Sequence, residues 1–311
     1  MKIVFMGTMD FAVPILFGLQ ERHEVSLVVT QPDKPIGRKQ LMKASSVKIC
    51  AQSLNIPVFQ PKSIKSDYLP ILNAKPELIV VAAYGQMIPK EVLFFPKRES
   101  INVHASLLPK YRGGAPMQRA IMAGDKETGV TVMKMAQKMD SGPILAQARL
   151  PIEFDDNVEI LEGKLALLGR NLLLKTLDEL QEDKAVLIPQ NEEEVTYARN
   201  LLPEEEKIDF NNPALTIYNH IRAFYPKPVA HGLIEGQKLK ILKADAIQDD
   251  HSVEAFPGEI VSVDKGNVHI MTGSGLIRLV KVQLEGRNAM SIEAFMNGIG
   301  KSLLVKGRKF K

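Results

Sequence analysis

The sequence predicts an α/β chain that ends in a small all-β unit, on three observations. Through the first two-thirds of the 311 residues, strand-like runs alternate with helix-like runs. The strand-like runs are apolar almost throughout, as strands buried on both faces are. The last third changes to short strands separated by glycine turns. Together these predict a Rossmann-like, mostly parallel sheet domain followed by a small antiparallel OB-like β-barrel domain.

The expected strands of the first domain are KIVFMG (2–7), EVSLVVT (24–30), ELIVVAA (77–83), SINVHAS (100–106) and TGVTVMKM (128–135). Between them FAVPILFGLQ, SSVKICAQSL, DYLPILNA and APMQRAIMAG read as helices. A long amphipathic helix over 157–182 sets Ile160, Leu161, Leu165, Leu168, Leu172 and Leu173 along one side and closes a domain at 1–189. Residues 190–207 are acidic and short of apolar residues, which reads as a linker. The second domain, 208–311, opens with a helix to Phe224, with Asn212 expected as N-cap and Pro213 at the first helical position. The strands AHGLIEG, KLKILKADAI, GEIVSVD, GNVHIMTG and GLIRLVKVQLEG follow, with turns at DKGN and TGSG; a short helix (SIEAFMNGI) and a basic tail come after them.

Composition narrows the function classes. The single cysteine, Cys50, excludes an internal disulfide and a thiolate zinc site, and suits a reducing compartment. MKIVFMGTMDF reads as a first strand rather than a signal peptide, and no run of about 18 apolar residues occurs, so no membrane partner and a cytoplasmic location are expected. Residues 207–311 hold 15 Lys/Arg against 10 Asp/Glu, while the rest of the chain holds 25 against 26. The positive excess therefore lies in the last third and points to a polyanionic partner.

The first βα turn, GTMDFA, fails as a dinucleotide fingerprint, because Met9 and Ala12 stand where glycines are needed. A nicotinamide dehydrogenase is correspondingly disfavoured, although a helix N-terminus there can still receive another anionic group. In INVHASLLPKYRGGAP (101–116), strand alternation puts Asn102 and His104 on one face at a strand end, where open α/β sheets bind ligands. An amide donor and an imidazole held together can stabilise an oxyanion developing on a carbonyl. Such chemistry also wants a carboxylate, and Asp140 in QKMDSGPIL offers one. Asp-Ser-Gly is also an ordinary turn, and spacing alone does not separate the two roles. The six histidines are scattered and form no i, i+4 pair, so no metal is expected. No GxSxG elbow occurs and Cys50 lies in a helical pattern, which favours direct transfer between two bound substrates. The long connection 31–48 carries Lys34, Arg38, Lys39, Lys43 and Lys48 against Asp33 alone; it suits phosphate contacts, or is simply a solvated basic loop.

GTMDFA, TQPDKPIGR, VVAAYGQMIP, INVHASLLPKYRGGAPMQRAI, GDKETGVTVMKM and MDSGPIL occur in the order in which the methionyl-tRNA formyltransferases carry them, and RAFYPKP and the small barrel extend the resemblance nearly end to end. The Asn-x-His…SLLP stretch is similar to folate-dependent formyltransferases generally, whereas the QPDKPIGR loop and the barrel point to the tRNA enzymes among them. The resemblance implies that Asn102 and His104 polarise the formyl oxygen of 10-formyltetrahydrofolate, used as donor substrate. Asp140 would orient His104 and take the proton of the attacking methionyl amine. Ser106, Leu107, Leu108 and Pro109 would wall the folate site, with Gln86, Met87 and Ile88 flanking the pterin. Lys34, Arg38, Lys39 and Lys43 would meet initiator methionyl-tRNA, Arg38 being the foremost contact. Met9 stands where many members have proline, Lys227 where many have tryptophan, and Asp-Ser-Gly-Pro where some have Asp-Thr-Gly-Asp.

Between Pro257 and Ala294 there is no Phe, Tyr or Trp. A barrel without aromatic platforms is not built to stack single strands; Lys265, Arg278, Lys281 and Arg287 suit folded RNA held by its phosphates. Competing readings are a formyltransferase acting on a small amine (glycinamide ribonucleotide or an amino-sugar nucleotide) or on water, and an RNA-binding module on an inactive scaffold. A monomer is expected.

Overall fold

The computed structural model describes residues 1–36, 41–247, 255–264 and 266–311. It divides into two compact units, one of Met1–Pro116, Glu127–Pro151 and Leu161–Arg199, the other of Met117–Lys126, Ile152–Ile160 and Asn200–Lys311.

In the first unit β1 (Lys2–Gly7) is followed by helix α1 (Ala12–Arg22), β2 (Glu24–Val29), and a hairpin of β3 (Lys34–Ile36) and β4 (Leu41–Lys43). Next come α2 (Ser46–Ser53), β5 (Val58–Phe59), α3 (Leu69–Asn73), β6 (Leu78–Ala82), α4 (Lys90–Leu93) and β7 (Ser100–His104). Helix α5 (Pro116–Ala123), which from Met117 on belongs to the second unit, leads to β8 (Glu127–Lys134), β9 (Ile144–Pro151) and α6 (Val158–Gln181), which belongs to the first unit from Leu161 on. The seven-stranded sheet has the order β5-β2-β1-β6-β7-β8-β9. Pairing is parallel as far as β7 and antiparallel for β7–β8 and β8–β9.

The expected all-apolar strands are buried as predicted: every residue of β6 and β7 is buried. Strand β9, which the apolar-run criterion does not single out, alternates half-buried and exposed positions from Ala146 to Pro151, as a strand with one face open does. Between Val132 and Met133 of β8 the pairing with β9 shifts by one residue, leaving Leu145 as a bulge. In the long helix Ile160 is 45% exposed rather than on the buried side. The buried line runs through Leu161, Leu165, Leu173 and Leu177, and a residue one step away lies about 100° round the helix.

In the second unit α7 (Ala214–Ala223) precedes β10 (His231–Ile234), β11 (Gln237–Ile247), β12 (Ile260–Asp264), β13 (Asn267–Met271), β14 (Leu276–Leu284) and β15 (Met290–Ser291), then α8 (Ile292–Met296) and α9 (Gly300–Leu303). Asn212 does not cap α7: its amide donates to Asp209 O at 3.2 Å and Pro213 itself takes the N-cap place. The amide N–H of Ala214 is satisfied by Ser274 O, so the helix start is held by the barrel instead of by a side chain.

The expected small antiparallel barrel is present, ordered β10-β11-β14-β13-β12 with β15 beside β14. The basic tail closes it. Leu233 and Lys311 exchange two backbone hydrogen bonds, while Ile260 N–H donates to Arg308 O and Phe310 N–H to Gly258 O. Residues 308–311 thus lie between β10 and β12, and Phe310 packs inward against Phe210 with ring centroids 5.3 Å apart.

Candidate active site

Strand β7 lies between β6 and β8, with Asn102 opposite Val81 and Met133 and His104 opposite Thr131. Two-residue alternation sends both polar side chains to the same face, as the sequence implies. Asp140 meets them there. Its Oδ1 is 3.5 Å from Asn102 Nδ2, and its Oδ2 is 3.7 Å from His104 Nδ1 and accepts from Gly113 N–H at 2.9 Å. The His104 and Asp140 side chains are only 7% and 12% exposed. His104 Nε2 lies 2.9 Å from Tyr111 O. A carbonyl only accepts, so Nε2 carries hydrogen and Nδ1 is the nitrogen turned to the carboxylate.

Asp140 reaches this position through unusual backbone. Its φ is 50°, in the left-handed region that aspartate tolerates better than most residues. Two residues on, a Cβ on Gly142 would lie 1.9 Å from Lys134 O, so only glycine lets the turn return this close to β8. Across the site Gly113, with φ 125°, lies where a Cβ would meet Ala198 O at 2.5 Å.

That neighbour belongs to the stretch expected as a linker. Arg112 N–H donates to Thr196 O and Ala198 N–H to Arg112 O, so 196–198 run alongside 112 in the first unit. The Arg112 side chain is fully buried; it donates to Gln190 Oε1 from Nε (3.0 Å) and Nη2 (2.8 Å), and to Glu192 at 2.7 and 3.4 Å. Hydrogen bonds from Arg112 and then Lys138 pull the Glu192 carboxyl down to about 2. Acidic composition reads as solvated chain, but here the acid serves a buried guanidinium.

The SLLP segment is fastened from β8 and β9. Thr131 Oγ1 donates to Ser106 O (2.7 Å) and accepts from Leu108 N–H (3.1 Å), while Gln147 Nε2 donates to Leu108 O (2.8 Å) and to Thr131 Oγ1 (2.9 Å). Ser106 turns its hydroxyl to Lys110 O, and Leu108 is buried against Met133 and Ile144. Leu107 and Pro109 keep partial exposure. Thr131, Gln147, Gln190 and Arg112 escape sequence reasoning, because nothing local distinguishes a threonine or glutamine that holds a distant loop.

Elsewhere in the same unit, Gln86 accepts from Ile64 N–H at 3.0 Å and donates to Pro61 O at 3.4 Å. Met87 is half exposed and Ile88 is buried. The amide N–H of Phe11 at the start of α1 donates to Glu162 Oε1 at 3.1 Å, so the protein's own carboxylate answers a backbone donor at this helix N-terminus. Cys50 is no activated nucleophile: burial pushes its thiol up. Among the described residues no group of three or more His, Cys, Asp or Glu is placed to hold a metal ion, and no helix is long and apolar enough to cross a membrane.

In the basic loop, Lys34 and Lys43 stand directly opposite each other on β3 and β4, an arrangement that costs stability unless an anion answers it. The loop's one acid is engaged elsewhere, with Asp33 bound to Lys48 Nζ at 2.7 Å and to Gln60 Nε2 at 2.8 Å. Arg38 and Lys39 lie outside the described residues, as does Lys265 of the barrel. On the barrel, Lys243 faces Lys281 across β11 and β14, whereas Arg278 is bound to Asp245 and is less available than its sequence position implies.

A family model described as formyl transferase matches residues 1–177, and one described as formyl transferase, C-terminal domain, matches residues 200–300. The chain is 44% identical over 311 residues to a methionyl-tRNA formyltransferase of Macrococcus caseolyticus, covering 99% of this chain and 98% of that protein. It is 44% identical over 305 residues to a methionyl-tRNA formyltransferase of Listeria monocytogenes, covering 97% of each. HypX from Aquifex aeolicus in complex with tetrahydrofolic acid shares the fold, with a TM-score of 0.66 at 18% identity over 99% of this chain and 50% of that one.

Proposed function

The chain belongs to the formyl transferase family and, within it, to the methionyl-tRNA formyltransferases; on that premise we propose that it moves the formyl group of 10-formyltetrahydrofolate to the free amino group of initiator methionyl-tRNA. The observation that carries the reading is the convergence of Asn102, His104 and Gly113 N–H on the Asp140 carboxylate.

In this mechanism the methionyl nitrogen attacks the formyl carbon and the carbonyl oxygen becomes an oxyanion. Asn102 Nδ2 and the His104 imidazole stabilise it, in a buried setting where such groups are worth more than in water. Asp140 takes the proton released by the attacking amine, directly or through water, and orients the His104 ring through Nδ1. Collapse breaks the bond from the formyl carbon to folate N10, which leaves with the proton that Asp140 received, passed on directly or through water. The exposed edge of Leu107 and Pro109 and the backbone at Gln86, Met87 and Ile88 supply the folate surface. Lys34, Arg38, Lys39 and Lys43 meet tRNA phosphates, and the barrel's lysines add attraction without sequence readout. The enzyme acts as a monomer in the cytoplasm.

The test is direct. Given 10-formyltetrahydrofolate, the protein is expected to formylate charged initiator tRNA and not glycinamide ribonucleotide; the reverse preference overturns the assignment of acceptor. Neutralising Arg38, Lys39 and Lys43 together is expected to weaken tRNA binding and lower the slope of log K against log salt by about 2 to 3. An unchanged slope would make the loop a bystander.

A further inference from the structure

We infer that Gln190 is a positioning residue for formyl transfer, acting through Asp140; the inference rests on the proton-accepting role given to Asp140 above. The carboxylate's aim depends on a turn whose backbone is left-handed at Asp140 itself, a conformation that persists where its surroundings enforce it. The enforcing group is one carboxamide. Gln190 Nε2 donates to Asp140 O at 2.8 Å and to Gly142 O at 2.7 Å, bracketing the turn.

The orientation of that carboxamide is fixed by chemistry. A guanidinium offers only donors, so Arg112 compels Gln190 to present its oxygen to Nε and Nη2 and its NH₂ to the two carbonyls. Arg112 is the chain neighbour of Gly113, whose N–H holds Asp140 Oδ2. Side chain and main chain of Asp140 are therefore fixed from the same dipeptide, one directly and the other through Gln190. Glu192 completes the partners of Arg112 from the solvent side and also binds Lys138 Nζ at 3.1 Å.

Gln190→Glu separates this role from simple support. It keeps an acceptor for Arg112, so the buried guanidinium stays paired, but it sets carboxylate oxygen against the two carbonyl oxygens that lose their donor. A misplacement of about 1 Å in a reacting group costs about 10²-fold. Gln190→Glu is thus expected to lower kcat about 10- to 100-fold, with KM for 10-formyltetrahydrofolate and for methionyl-tRNA within about threefold of the parent. Because the effect runs through Asp140, the double variant with Asp140→Asn is expected to be no slower than Asp140→Asn alone. Should Gln190→Glu not fold, Gln190→Asn, which withdraws the same groups by one methylene, is expected to show the same split.

A normal kcat in the glutamine variant beside a slow Asp140→Asn overturns the inference and leaves the site reading standing. So does a loss that falls on KM alone, or one that multiplies with the loss from Asp140→Asn. Normal turnover in Asp140→Asn overturns the site reading, and the inference with it.

Discussion

Asp140→Asn is expected to slow formyl transfer by about 10² to 10⁴, the range set by removal of a general base. The geometry sharpens that expectation. The carboxylate accepts at both oxygens, from Asn102 Nδ2 on one side and Gly113 N–H on the other. An amide accepts at only one, so either rotamer of the new side chain turns an NH₂ toward a donor. The substitution removes the proton acceptor and loosens the pocket in one step. Single-turnover rates with saturating 10-formyltetrahydrofolate and charged tRNA read the effect, and activity within about threefold of the parent would place the base elsewhere.

Asn102→Ala is expected to cost about 10² to 10³ in the transfer rate, the loss typical of one oxyanion donor, while the tRNA dissociation constant stays within about twofold. The residue lies in a fully buried strand paired on both sides, so the backbone there is set by β6 and β8 and not by the side chain. Alanine therefore deletes a donor from a frame that stays in place. The tRNA contacts assigned to the basic loop do not involve this strand. Rapid-quench transfer and filter binding on one preparation separate the two quantities. Equal losses in both would mean that Asn102 supports binding and not the transition state.

How much of this was legible in the sequence follows the range of the interactions. Asn102 and His104 could be placed on one face because alternation is local to β7. Asp140 could be named but not separated from an ordinary turn, since its arrival depends on the pairing of β7, β8 and β9 and on the close return at Gly142. Gln190 and Arg112 stand 78 positions apart and no local pattern joins them. The acidic composition of 190–207 suggested solvated chain because composition does not reveal a buried arginine in need of partners. Asn212 looked like a helix cap by residue type, but a barrel carbonyl took that duty. The barrel strands were legible because glycines mark most of the turns between them; the tail's part in closing them was not, being set by contacts with residues about 50 to 80 positions away.

The bulge at Leu145 has a consequence for the timing of the two halves of the site along one strand. Downstream of it, Gln147 lies opposite Thr131 and grips the apolar wall; upstream, Ile144 lies opposite Met133 and feeds back to Gly142 and Asp140. Those two stretches of β9 are out of step by a single residue, and the extra leucine absorbs the difference. A strand without it would satisfy one half of the site and turn the other by half a pleat, away from its partners. The Leu107–Pro109 wall and the Asp140 turn are thereby kept in phase by one residue of the strand between them.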